Sequence, residues 1–196
     1  MGRAKANLPL DADTFVTRII RTFRDAGVSD VVVVLGHDAD AIAAAVSASG
    51  HTARLVINAD YDRGQLSSLQ AGLALVDRPG VNGMLMTLVD VPLVSPSTVR
   101  AVLERYQASR APVVRPVRGS QHGHPILIDR SLFPELRAAT DAAGARPVIR
   151  AHASPSGDVP VEDDGAFRDI DTMEEYRRLI GGDAGGARPG ATGSNQ

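Results

Sequence analysis

Apolar residues along this chain follow two rhythms. Phe15, Val16, Ile19, Ile20 and Phe23 recur at the three-to-four spacing of an amphipathic helix beginning at residue 14, and Gly27 is placed to stop it. Residues 31–35 are five consecutive apolar side chains, four of them β-branched, the pattern of a strand buried on both faces in a parallel sheet. Gly36, His37 and Asp38 turn the chain into an alanine-rich helix over 39–48. Residues 55–57 read as a short strand, 69–76 as a helix and 84–89 as a second buried strand. Ser95 and Pro96 are the N-cap and first residue of a helix over 96–109. This repeated strand-then-helix order predicts an α/β fold, Rossmann-like and doubly wound around a mainly parallel sheet.

The pattern changes after residue 111. Two short β-rich runs, 112–117 and 125–129, are joined by a polar connection over 118–124 that is suited to lie across the sheet's ligand edge. Helices are expected over 131–139 and 145–151, a short strand over 159–161, and a last helix over 173–180 opened by the Thr172 and Glu175 capping box. Residues 1–11 have no period and are expected to fray. Residues 181–196 are glycine-rich with no large apolar side chain, which predicts a disordered tail behind one domain over 1–180.

Composition narrows the function classes. The chain has 196 residues, 21 Lys plus Arg against 23 Asp plus Glu, and a net charge of -2, so it presents no basic field for a nucleic acid. It has no cysteine, hence no disulfide framework or thiolate metal site. No run approaches membrane-spanning length and no secretory signal opens it, so the expected compartment is cytoplasmic, with no membrane partner.

The candidate chemistry lies where the predicted strands end. Asp90 closes the run at 85–89 just before Pro92, at the edge where open α/β sheets bind ligands. A carboxylate there either holds a divalent cation or caps its own turn. The polar stretch from Asn58 through Gly64 delivers Ser67 and Ser68 at a helix start; one hydroxyl suffices as a cap, which leaves one spare for a ligand. His37 and Asp38 are expected to cap the helix that follows them. His124 lies between Gly123 and Pro125, which biases its backbone toward an extended conformation. Asp169 and Asp171 alternate around Ile170, so both carboxylates share a face and need either a cation or open water.

Several segments taken together resemble the MobA-like nucleotidyltransferases, in particular the molybdenum cofactor cytidylyltransferases. They are Met1-Gly-Arg-Ala-Lys5, Asn58 through Gly64 to Ser67-Ser68-Leu69, Leu88-Val-Asp90-Val-Pro92, and Gly123-His124-Pro125 with Leu132-Phe133-Pro134. Gly144-Ala-Arg146 and Asp169-Ile-Asp171-Thr172 complete the set. The resemblance implies a Rossmann-like domain that transfers CMP from CTP to a molybdopterin-type phosphate with Mg2+ and releases pyrophosphate. It implies Asp90 as the principal Mg2+ carboxylate, with Asp171 and Asp169 as the second contribution. Lys5 would contact the triphosphate, and Gly2, Asn58, Gly64, Ser67 and Ser68 would bind nucleotide. Gly123 and His124 would lie near the acceptor, and a molybdenum oxidoreductase would be a partner.

One departure accompanies these matches. The family pattern places a buried strand and the turn Leu-Ala-Ala-Gly-x-Ser-x-Arg immediately before Met-Gly-x-x-Lys, whereas the present sequence starts at that Met. The resemblance therefore predicts a gap beside residues 31–35, with backbone groups unpaired there. It also opens a second functional class, a non-catalytic nucleotide- or cofactor-binding module. A third reading is another nucleotidyltransferase that joins a nucleoside triphosphate to a phosphate acceptor.

Overall fold

The computed structural model of the chain describes residues 5–182. A 3-10 turn, Lys5–Asn7, leads into two short paired strands, β1 (Pro9–Leu10) and β2 (Asp13–Thr14), and then helix α1 (Phe15–Asp25). This segment is not frayed as the sequence suggested. Leu8 and Leu10 bury themselves against Phe15, Ile170 and Tyr176, and two-residue strands are too short to show a period. Thr14 and Thr17 close a reciprocal capping box at the start of α1.

Strand β3 (Val32–Leu35), helix α2 (Ala39–Ala48) and strand β4 (Arg54–Ile57) form a right-sized βαβ unit whose strands pair in parallel. The cap expected from His37 and Asp38 does not form. Asp38 adopts a left-handed conformation and its side chain makes no capping bond, while His37 is largely exposed. Helix α3 (Gln65–Val76) starts four residues before its predicted position because Gly64, at φ 104°, provides the break that the serines were expected to supply.

Strand β5 (Gly83–Met86), helix α4 (Pro96–Ser109) and strands β6 (Val113–Arg118), β7 (Gln121–His122) and β8 (Ile126–Asp129) follow, then helices α5 (Phe133–Ala138) and α6 (Arg146–His152). Strand β9 (Asp158–Pro160) and helix α7 (Met173–Gly182) complete the described chain. Helix α7 runs through two residues assigned to the tail; the rest of that expected tail, and Gly2, lie outside the described residues. Strand β5 ends at Met86 rather than Val89. Its last pairing is with Ile126, and the next residue of the partner strand, Pro125, has no N–H to continue the ladder.

In the larger sheet β8 lies antiparallel between β5 and β6, and β6 pairs in parallel with β9. Both faces are covered, as a wound α/β fold requires. Along β5, Met84 and Met86 join a core with Leu73, Phe133, Leu136 and Ile149, whereas Leu85 faces the opposite side with Val102 and Tyr106. Residues Ile128 and Leu127 of β8 divide the same way. Full burial of a side chain such as Ile128 or Leu136 contributes roughly 1.5–3 kcal/mol.

Among the described residues β3 pairs only with β4, and β5 only with β8, so these strands belong to two separate hydrogen-bonded sheets. They are joined by side chains. Val33 and Leu35 share one apolar cluster with Leu85, Val89, Val94 and Val99.

Candidate active site

Asp90 follows β5 by four residues, in a turn whose backbone is tied to a distant part of the chain. Its carbonyl accepts the Ile170 N–H at 2.8 Å, and this bond lays residues 169–171 alongside it. Ile170, 1% exposed, is sunk among Leu8, Leu10, Phe15 and Tyr176. Alternation then leaves Asp169 and Asp171 on the outer side, both exposed. The Glu175 carboxylate fixes the end of this segment by accepting from the backbone N–H groups of Asp171 and Thr172.

Lys5 enters from the 3-10 turn. Its Nζ donates to Asp171 Oδ1 at 2.9 Å and stands 3.7 Å from Asp90 Oδ2, so one ammonium spans carboxylates from two remote segments. The two acids differ in setting: the Asp90 side chain is 23% exposed and that of Asp171 63%. Asp90 Oδ1 is shut off from solvent and has no hydrogen-bond partner among the described residues. A buried carboxylate oxygen without a donor is costly unless a cation or donor reaches it. Asp169 is held above the usual carboxylate range, first by partial burial of its carboxyl group and then by the charge of Asp90. His124 and Lys5 oppose that rise and Asp171 adds to it.

His124 lies close enough to Asp169 and Asp90 for their charges to act on its ring. The Gly123 N–H donates to Pro116 O at 2.9 Å and the His124 N–H to Ala166 O at 2.8 Å. A Cβ on Gly123 would lie 2.4 Å from that Ala166 oxygen and 2.9 Å from the Phe167 ring, so only glycine allows this approach. Burial lowers the His124 pKa from its ordinary value, an effect opposed by the Met86 backbone and by the charges of Asp169 and Asp90. Its Nδ1 is buried and without a partner.

Asn58, Gly64, Ser67 and Ser68 form a second group after β4. Asn58 and Ser67 are each 6% exposed. Asn58 Nδ2 donates to Ser67 Oγ at 2.9 Å and to Ser68 Oγ at 3.1 Å. The Ser67 hydroxyl lies within hydrogen-bond reach of the Asp60 and Gly64 carbonyls, which occupies it inside the loop. Among the described residues no hydrogen bond connects this group with Lys5 and the carboxylates. Sequence reasoning did not single out Thr87, whose Oγ1 is buried three residues before Asp90 without a partner among the described residues. A lone hydroxyl inside the apolar run 84–89 was the available signal.

Among the described residues no three acidic or imidazole groups stand close enough to hold an ion unaided. The geometry offers two carboxylates, Asp90 and Asp171, with Asp169 beside them. That number suits Mg2+, which commonly takes one or two protein carboxylates and completes its shell with phosphate oxygens and water.

Comparison with known proteins gives this constellation a context. Nicotine blue oxidoreductase of Paenarthrobacter nicotinovorans is 32% identical over 187 residues, covering 92% of this chain and 90% of that protein. Purine catabolism protein PucB of Bacillus subtilis is 27% identical, covering 90% and 87% respectively. Among solved structures, Rv0371c of Mycobacterium tuberculosis in complex with manganese superposes with a TM-score of 0.74 at 29% identity, over 92% of this chain and 93% of that one. Residues 1–156 match the family described as the MobA-like NTP transferase domain. With most of its length matched, this chain belongs to the MobA-like NTP transferase domain family, a family of nucleotidyltransferases.

Proposed function

We propose that this protein transfers CMP from CTP to a molybdopterin-type phosphate, with Mg2+, and releases pyrophosphate. The observation that carries the reading is the convergence of Asp90 and Asp171 on the Lys5 ammonium, with the inner oxygen of Asp90 left without a partner among the described residues. Asp90 and Asp171 would hold the ion, with Asp169 beside them, and the ion when bound neutralises charge on the triphosphate and the departing pyrophosphate. Manganese in the related Rv0371c structure supports a divalent ion here.

The remaining work belongs to the chain's own side chains. Lys5 puts a flexible positive charge beside the carboxylates, where triphosphate oxygens would otherwise be repelled. The acceptor phosphate oxygen is itself the nucleophile, so no side chain need form a covalent intermediate. In the loop after β4, Ser67 is spent on internal bonds and serves as a brace. Ser68 accepts from Asn58, and its own O–H is left to read a polar base edge such as that of cytosine. His124, whose ring lies close enough to Asp90 and Asp169 to feel their charges, would flank the acceptor.

Pyrophosphate release tests the reading. Purified protein is given CTP or GTP, Mg2+ or Mn2+, and a phosphorylated pterin acceptor. Release that favours CTP and falls at least about a hundredfold in Asp90→Asn is expected. Nucleotide binding without turnover would favour the binding-module reading instead. A redox reading is favoured by the 32% identity to nicotine blue oxidoreductase. Having no cysteine, the chain would need a bound electron carrier for that chemistry. Oxidation of NADH or NADPH by the protein with a reducible acceptor would support it.

A further inference from the structure

We propose that Lys5 is a built-in stopper of the cation pocket, which makes divalent metal binding conditional on the nucleotide. The inference rests on the reading of Asp90 and Asp171 as the metal carboxylates and concerns the order in which the pocket fills. The Lys5 ammonium already holds an oxygen of Asp171 at 2.9 Å and lies 3.7 Å from one of Asp90. A divalent ion needs the same two groups, and it meets a like charge at a separation where repulsion is large in a partly buried site. A cation arriving alone must therefore displace the ammonium into water.

A triphosphate changes that balance, because its oxygens offer the ammonium charge-assisted bonds to replace those it gives up. Two features make the exchange feasible. Asp171 is 63% exposed, so its bond to Lys5 is easily taken over by solvent. The root of Lys5 stays fixed, since Ala6 is buried beside it and the Leu8 N–H donates to the Lys5 carbonyl at 3.1 Å, so only the four-carbon stem has to swing. Asp90 Oδ2, the oxygen that faces the ammonium at 3.7 Å, is then open to the ion. Coupling of this kind is reciprocal: nucleotide tightens metal by the factor by which metal tightens nucleotide.

Mn2+ binding, followed by electron paramagnetic resonance with and without a non-hydrolysable CTP analogue, tests the proposal. The wild-type chain is expected to bind Mn2+ weakly alone and at least about tenfold more tightly with the analogue. Lys5→Met should bind Mn2+ alone about tenfold more tightly than wild type and lose most of the nucleotide effect. Lys5→Gln, which keeps a polar stem without the charge, should behave the same way. If both variants bind Mn2+ alone no better than wild type, while Asp90→Asn abolishes binding, the stopper is overturned and the metal reading stands. If no form binds Mn2+ in a manner that depends on Asp90 and Asp171, the functional reading falls and the stopper with it.

Discussion

Asp163 shows how much one carboxylate can organise. Its Oδ2 accepts the Ser95 N–H at 2.8 Å, the Ser95 hydroxyl at 2.7 Å and the Thr98 hydroxyl at 2.6 Å, and its Oδ1 accepts the Gly165 N–H at 3.0 Å. The start of α4 is thereby tied to the loop that carries Ala166, the residue on which His124 hangs. Burial works against the charged form, yet the bonds from Thr98, Ser95 and Gly165 hold the Asp163 pKa below its ordinary 3.8. A depressed carboxylate adds stability that is present above 3.8 and lost as pH falls through the folded-state value. Urea unfolding at stepwise lower pH should show that loss in wild type and a flatter profile in Asp163→Asn. At neutral pH, Asp163→Ala should cost about 2–3 kcal/mol. Gly123→Ala forces a methyl against the Ala166 carbonyl and should cost about 1–3 kcal/mol, read as a lowered thermal midpoint.

Single elements decide whether the acids meet. Segment 169–171 is held by Ile170 in its apolar socket as much as by the bond to Asp90. Ile170→Ala should therefore cost about 2–4 kcal/mol and also weaken Mn2+ binding in the presence of nucleotide, whereas a comparable truncation at Leu136, in the core around α5, should affect stability alone. Much of this level was legible in the sequence. The alanine-rich period gave α2 its limits, Ser95 with Pro96 marked the start of α4, and alternation around Ile170 put Asp169 and Asp171 on one face. What escaped depended on distant partners. The end of β5 is set by a proline about forty residues away, β1 and β2 are too short for any rhythm, and the reach of Lys5 to Asp171 spans most of the chain.

At the scale of the molecule, the dominant feature is that the β3–β4 pair and the five-stranded sheet meet, among the described residues, through side chains only. Amide groups of β3 that do not face β4 have no strand partner among the described residues, so hydrogen exchange should be faster in Val32–Leu35 than in Ile126–Asp129, which is flanked on both sides. The two candidate groups are distributed across this divide. Asn58 and Ser68 follow β4, in one sheet, while Asp90 follows β5, in the other. A nucleotide gripped by its base on one bank and by its phosphates on the other would act as a splint across a seam that no backbone bond stitches among the described residues. At a hundred times its dissociation constant such a ligand adds about 2.7 kcal/mol to stability. That gain should appear as slowed exchange on both banks at once, a signature that a ligand seated wholly on one of them would not leave.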